Sequence, residues 1–236
     1  MVSGALYLGD SYIKECEAKV TSVKDGKFIV LDRTIFYPKG GGQPCDTGKI
    51  VNGEEDYQVT FVGKFEGEIS HEVDKSGLKE GNRVRCLLDW DRRFKLMRMH
   101  TAAHVLSAVM HKELGVLITG NQLKEDKTRF DFSMQDFDRD RFQKVVEKAN
   151  GLLSQDNRIK IYDLKREKAM EIPGIVKLAN SLPPSLKVLR IVEIPGVDIQ
   201  ADGGTHVRNL KEVGKIEILK LENKGKNNRR IYFSLM

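Results

Sequence analysis

Cysteine is scarce in this chain and follows no pairing pattern. Only Cys16, Cys45 and Cys86 occur in 236 residues. The number is odd and none form a CxxC pair, so neither a disulfide framework nor a cysteine zinc knuckle is expected. Long apolar runs are missing as well. No stretch approaches the roughly 18 residues that a membrane-crossing helix needs. The opening residues, MVSGALYLGDSYIKE, lack a basic segment followed by an apolar one, so no secretory leader is read and the expected compartment is the cytoplasm. Internal repeats and low-complexity tracts are absent from the sequence. The glycine run Gly40-Gly41-Gly42 lacks a GK[ST] ending, which argues against a nucleoside-triphosphate loop, and ATP binding is not expected.

Charge is present in quantity but unevenly spread. Residues 1–90 carry 12 Lys/Arg against 15 Asp/Glu, and residues 91–236 carry 28 against 19. The basic excess of the second part would suit a phosphate backbone, although charge alone does not specify nucleic acid.

The two parts also differ in patterning. Before residue 90, short β-prone runs recur at Cys16–Val23, Phe28–Leu31, Gln58–Val62, Ile69–Val73 and Arg83–Leu88, separated by turn signals such as Asp25-Gly26 and Asn52-Gly53. Such spacing predicts a small barrel or meander. After Asp89-Trp90-Asp91 the period changes. From Asp91 to about Leu114 there is no Gly or Pro, and the apolar spacing predicts a mostly buried helix, entered through an Asp cap and closed near Gly115. Strands are expected at Val116–Leu123, Thr128–Phe132, Ile159–Leu164, Lys187–Ile194 and near Val197–Ala201. A second amphipathic helix is expected over Asp138–Ser154, with short helical pieces across 166–180 broken at Pro173-Gly174. The last expected element is a hairpin of Gly214–Leu221 and Arg229–Leu235. A domain boundary is placed near residue 90, dividing 1–90 from 91–236, with Trp90 packing at it.

Five histidines occur: His71, His100, His104, His111 and His206. His100 and His104 form HTAAH inside the predicted long helix, and i,i+4 spacing puts both rings on one face, where they can grip one metal ion. The HExxH protease motif has the same spacing but needs a glutamate as base; here Thr101, Ala102 and Ala103 intervene. His111 lies on the same stripe about 10 Å further along, too far to share that ion. His71, in a strand, reads as structural. A second element, Ala201-Asp202-Gly203-Gly204-Thr205-His206, reads as a tight turn whose backbone could approach a ligand. A third, Phe36-Tyr37-Pro38-Lys39-Gly40-Gly41-Gly42-Gln43-Pro44, is an ordered-looking glycine loop that costs backbone entropy.

The ordered set FYPKGGGQPCDTG, HTAAH, RFDFS and DGGTHV resembles the editing domain of alanyl-tRNA synthetase and its free-standing relatives, the AlaX proteins, in their medium-length class. The resemblance implies an α+β fold: an N-terminal small β-barrel domain followed by a two-layer α/β editing domain of the kind shared with threonyl-tRNA synthetase. It implies one zinc ion held by the two histidines of HxxxH and by the Cys and His of a CxxxH pair. Carried across, these are His100, His104 and His206, with Asp202 standing where the family has Cys. Carboxylate oxygen is an acceptable zinc ligand. Asp202 either binds directly or holds a water in the fourth position, and the change could also mark a weakened metal site.

The activity so implied is ester hydrolysis at the 3′ end of tRNA(Ala) mischarged with serine, or with glycine. Zinc would either activate a water or orient the substrate amino group. A pocket built for alanine rejects serine only about 10²-fold, whereas a second site that hydrogen-bonds the hydroxyl can select for it by about 10⁴–10⁵. Gln43, Thr101 and Asn121 are the candidate catalytic residues. Gly41, Gly42, Thr119, Gly203 and Gly204 are the candidate substrate contacts, with Gln122 as a further polar group. Ala103 stands where the synthetase domains often carry Thr, so no hydroxyl comes from there. Arg229 and Arg230 could meet tRNA or simply be solvated. Rival readings are a tRNA-binding module without activity, another zinc hydrolase, and editing of threonine tRNA.

Overall fold

The computed structural model describes residues 4–134, 138–173, 175 and 186–236. The chain divides into two compact units, Met1–Leu96 and Met97–Met236. The sequence places a boundary near residue 90, where a long helix begins; the division into units falls later, within that helix.

The first unit begins with a short helix, α1 (Leu6–Gly9), followed by β1 (Glu15–Lys24), β2 (Phe28–Leu31), β3 (Gly48–Asn52), β4 (Glu55–Phe65), β5 (Glu68–Val73) and β6 (Arg83–Leu88). The six strands close into a barrel in the order β1-β2-β5-β4-β3-β6, with every neighbouring pair antiparallel. Alternation decides what fills it: on β5, Ile69, His71 and Val73 point inward while the residues between them are more exposed. The interior is made by Val20, Ile29, Ile35, Phe36, Ile50, Val62 and Cys86, all without exposure. Each buried side chain of this size is worth about 1.5–3 kcal/mol relative to leaving it in water.

Five of the six strands coincide with β-prone runs in the sequence, and β3 does not. Its sequence, GKIVN, is short and half polar, and only Ile50 is fully buried. Yet it closes the barrel, pairing with β4 on one side and β6 on the other. Its existence follows from two neighbours needing a ladder partner, which no local pattern announces.

A long helix, α2 (Trp90–Leu114), follows. Asp89 caps it by accepting the Arg92 amide at 3.2 Å, as an N-cap Asp does. Inside the first unit, Arg93 is completely buried. Its Nε donates to both carboxylate oxygens of Asp46 (3.0 and 3.1 Å), its Nη1 to Ser11 O (2.8 Å) and one Nη2 hydrogen bond goes to Ile35 O (2.6 Å). Asp46 also accepts the Tyr37 amide at 2.6 Å. This ion pair therefore ties the first turns of α2 to both ends of the glycine-rich segment. Trp90 packs between Tyr12 and Phe94, with Lys14 over its ring at 4.5 Å.

His71 is a core histidine. Its Nδ1–H donates to Ile29 O (2.9 Å), so its Nε2 accepts from the Thr34 hydroxyl (2.8 Å). Burial pushes its pKa down to about 4, against a partly compensating hydrogen bond to Ile29. The sign follows directly. Between pH 6.5 and 4 the unfolded chain binds a proton at this ring that the folded one refuses, so stability falls as pH drops through that window. A shift from 6.5 to about 4 corresponds to roughly 3 kcal/mol. His71→Gln should therefore flatten the acid limb of stability between pH 6.5 and 4, measured by urea unfolding across pH. An unaltered acid limb would exclude this ring as its source.

The second unit carries β7 (Ile118–Leu123), β8 (Thr128–Ser133), α3 (Arg139–Leu153), β9 (Lys160–Lys165), α4 (Arg166–Met170), β10 (Val188–Ile194), β11 (Asp198–Ala201), a 3-10 turn at Leu210–Glu212, β12 (Ile216–Asn223) and β13 (Asn228–Leu235). The expected helical pieces across 166–180 are met by α4; Gly174 and residues 176–180 lie outside the described residues. Two antiparallel sheets form, one in the order β12-β13-β8-β7 and one in the order β11-β10-β9. On the four-stranded sheet Phe130, Phe132 and Phe233 pack edge to face at 5.6 Å. α2 is buried all round from Leu96 to Met110 apart from Arg98, as a helix inside a core must be. α3 is fixed to β12 by Asn150, which donates to Ile216 O (3.0 Å) and accepts its amide (2.7 Å). The fold is thus a closed β-barrel followed by a unit of sheets and helices, as expected. No helix among the described residues is long and apolar enough to cross a membrane.

Candidate metal centre

The two histidines of HTAAH sit on the buried stretch of α2, and helical spacing puts their rings 5.0 Å apart, centroid to centroid. The other half of the centre comes from the hairpin of β10 and β11. Its turn, Ile194–Val197, has Pro195-Gly196 at the central positions, Gly196 at φ +73° and a Val197 N–H to Ile194 O bond of 2.9 Å: a type II turn, which demands glycine there. On β11 and just past it, Ile199 and Ala201 face the apolar cluster of Ala169, Ile175, Leu189 and Ile191. Strand alternation then turns Asp198, Gln200 and Asp202 to the opposite face. Arg190, across from Asp202 on β10, clamps the following turn by donating Nη1 to Asp202 O (2.8 Å) and Gly204 O (3.0 Å).

The result is one cluster. The ligand atoms of His100, His104, Asp202 and His206 all lie within 4.8 Å of one another. Asp202 Oδ2 is the hub, 3.3 Å from His100 Nε2, 3.4 Å from His104 Nε2 and 3.2 Å from His206 Nε2. A tetrahedral ion with ligand bonds near 2.0–2.1 Å separates its donors by about 3.3–3.4 Å. The carboxylate therefore stands at ligand-edge distance from all three imidazoles. Donor type and spacing fit a divalent cation.

The rings are held from behind. His104 Nδ1 meets Asp198 Oδ2 at 3.0 Å, and Gln200 Nε2 donates to that same oxygen at 2.7 Å. His206 Nδ1 meets the Thr101 hydroxyl at 3.1 Å, and that oxygen also receives the Val207 amide (3.4 Å). Both contacts leave Nε2 aimed at the cluster, the arrangement by which outer groups fix a metal-binding imidazole. Asp202 is oriented by the Gly204 amide, which donates to its Oδ1 at 2.7 Å.

Electrostatics follow from the same contacts. Burial pushes His100 well below the usual imidazole range and His206 down to about 4. Burial also opposes a charge on His104, but hydrogen bonds to Asp198 and Asp202 outweigh it and push this ring up to about 9. Burial of Asp202 favours its neutral form, yet the surrounding rings of His100, His104 and His206 hold the carboxyl well below its ordinary value. Burial and the Asp202 carboxylate thus pull the rings in opposite directions: His100 and His206 are pushed toward the neutral form, and His104 toward the charged one.

Of the other sequence candidates, Thr101 and Gly204 touch the cluster. Thr101 is fully buried, with its hydroxyl committed to His206 and Val207. Gly203 is exposed, while the Gly204 amide serves Asp202. Thr119 and Asn121 lie on β7; the Thr119 hydroxyl is exposed and 3.5 Å from Asn228 Oδ1. Gln122 is exposed on the same strand. Gly41, Gly42 and Gln43 belong to the first unit. There, Gly40 and Gln43 exchange backbone bonds (3.1 and 2.9 Å) across Gly41 (φ +58°) and Gly42 (φ +84°). That is a type I′ turn, which needs positive φ at both central residues and so accounts for two of the three glycines. Gln43 itself is buried. His111 is exposed on the last turn of α2, its Nδ1 3.2 Å from Val116 O. Arg230 is paired with Asp131 through two contacts of 2.6 and 3.0 Å, and Arg229 reaches Asn223 at 2.9 Å.

Sequence reasoning missed Asp198. The signal was available: in Asp198-Ile199-Gln200-Ala201-Asp202 polar and apolar residues alternate strictly, which on a strand gathers the three polar groups on one face.

Known proteins match this chain along nearly its whole length. The family model described as the threonyl and alanyl tRNA synthetase second additional domain matches residues 189–232, and the model for class II (A) tRNA synthetases matches residues 8–92. An alanyl-tRNA editing protein AlaX-M of Methanosarcina barkeri is 50% identical over 239 residues, covering 98% of each chain. One of the same name from Saccharolobus solfataricus is 46% identical over 233 residues, again covering 98% of each. An alanine–tRNA ligase of Pyrococcus abyssi is 41% identical over 234 residues, covering 97% of this chain and 25% of the ligase.

Proposed function

The chain belongs to the AlaX-M family of alanyl-tRNA editing proteins, and on that premise we propose that it is a free-standing hydrolase that removes serine, and glycine, from mischarged tRNA(Ala). The observation that carries the reading is the gathering of His100, His104, Asp202 and His206 around one point. Three imidazoles and a carboxylate are a donor set suited to zinc, and zinc is the ion assigned here. Held by these four residues, it would supply Lewis acidity, either to activate a water or to orient the substrate amino group.

The chain's own groups do the rest. Asp198 and Thr101 hold the rings of His104 and His206, and the Gly204 amide holds Asp202, so no donor has to reorganise when substrate arrives. Outer contacts of this kind fix the orientation of metal-binding side chains. The assignments of Gln43 and Asn121 to catalysis, and of Gly41, Gly42, Thr119 and Gly203 to the substrate, rest on the family resemblance. The basic excess of residues 91–236 favours a tRNA partner. The substrate places the protein with the translation machinery, in the cytoplasm.

Purified Ser-tRNA(Ala), Gly-tRNA(Ala), Ala-tRNA(Ala) and Thr-tRNA(Thr) supply the test. The expected result is release of serine and glycine, sparing of the correct alanyl ester and of threonine tRNA, and loss of hydrolysis with a chelator, restored by zinc. Tight binding of Ser-tRNA(Ala) with no ester cleavage would leave a tRNA-binding module instead.

A further inference from the structure

Asp198 lies outside the donor set, four residues before Asp202, and meets the cluster at His104. Its carboxylate is buried and its Oδ2 receives two groups at once, His104 Nδ1 at 3.0 Å and Gln200 Nε2 at 2.7 Å. The residue is also the first of β11, seated directly after the type II turn and paired in register with Ile194 on β10. Its position is thus set by backbone that has little freedom. Gln200, on the same strand face, fixes which way the carboxylate points.

A neutral imidazole can present Nε2 as a lone pair only if its proton sits on Nδ1. A buried acceptor against Nδ1 enforces that tautomer, fixes the ring plane and raises the basicity of the opposite nitrogen. His100, His104 and His206 are therefore not equivalent: His206 is backed by a hydroxyl, whereas His104 is backed by a full negative charge.

We propose that Asp198 is a positioning residue for the metal centre, acting through His104 and held in place by Gln200, and that it sets the affinity and ligand field of the bound ion. This rests on the reading of the four-residue cluster as a metal site. In this role Asp198 is not itself a donor to the ion.

The full chain, stripped of metal by chelation, would be titrated with Zn²⁺ and with Co²⁺, reading the dissociation constant and the visible spectrum of the cobalt form. Asp198→Ala is expected to weaken binding about 10–100-fold and to alter the cobalt spectrum. Asp198→Asn keeps an acceptor without the charge and should fall between wild type and the alanine variant. Gln200→Leu, which frees the carboxylate but retains it, should cost several-fold and serves if Asp198→Ala does not fold. A residue that merely supports the β10–β11 hairpin would lower the melting temperature of the metal-free protein while leaving affinity and spectrum as in wild type. That result overturns the proposal and leaves the metal site standing. Failure of the wild-type chain to take up either ion would instead remove the site and the proposal together.

Discussion

His104→Ala is expected to cut both metal retention and deacylation sharply. The imidazole is one of four donors whose ligand atoms lie within 4.8 Å, and it is the ring shared by the two carboxylates Asp198 and Asp202, at 3.0 and 3.4 Å. Structural zinc sites in zinc-finger peptides, also four-coordinate, bind the ion with apparent free energies of about 10–16 kcal/mol, a scale for the loss of one donor in four. One donor's share is then roughly 3–4 kcal/mol, or about 10²–10³-fold in dissociation constant. Hydrolysis of Ser-tRNA(Ala) should fall by at least as much, because a depleted site turns over nothing. Two carboxylates lose their shared partner, so the folded state is checked by circular dichroism before activity is compared. Zinc content by mass spectrometry and a single-turnover assay decide the matter. A variant that keeps both its zinc and its rate would show that the cluster is not the hydrolytic centre.

The largest loss of stability is expected at Asp46, far along the sequence from any metal donor. Asp46→Ala strands the guanidinium of Arg93, a side chain with no exposure and a bidentate carboxylate as its partner. Removing one member of such a pair costs about 3–5 kcal/mol, because the other charge stays buried and uncompensated. Substituting both, as Asp46→Leu with Arg93→Met, removes the buried charge and should restore part of that loss. Recovery stays incomplete, since the carbonyls of Ser11 and Ile35 lose their donor, at about 1–3 kcal/mol for each group left unsatisfied. Urea unfolding followed by barrel fluorescence or circular dichroism measures both variants. A loss below about 1 kcal/mol for Asp46→Ala would mean that water reaches the guanidinium.

What could be read in advance depended on how local the cause was. The i,i+4 pair in HTAAH was legible because helical period alone aligns the rings, and α2 was legible because nothing interrupts it between Asp91 and Leu114. The Asp89 cap and the C-terminal hairpin were equally local. Spacing alone could not bring His206 and Asp202 to His100, across about a hundred residues; the resemblance carried that expectation. β3 escaped because its strand character comes from its neighbours' unpaired edges. The glycine run drew attention as a possible ligand loop, yet two of its three members are explained by a type I′ turn. Thr101 was read as a pocket hydroxyl, while its oxygen is placed behind His206. In both cases the residue type was informative and the partner was not, because partners are set by tertiary packing.

The split origin of the donors has a consequence for when the site comes into being. His100 and His104 belong to one helix, whereas Asp202 and His206 follow the β10–β11 hairpin. A chain that has formed only α2 presents a two-imidazole half-site, which grips any imidazole-seeking ion weakly and without preference. Any discrimination between metals would need Asp202 and His206 beside the two helical imidazoles. If the four-residue cluster holds a metal ion as proposed, metal choice would belong to the folded chain and not to α2 alone.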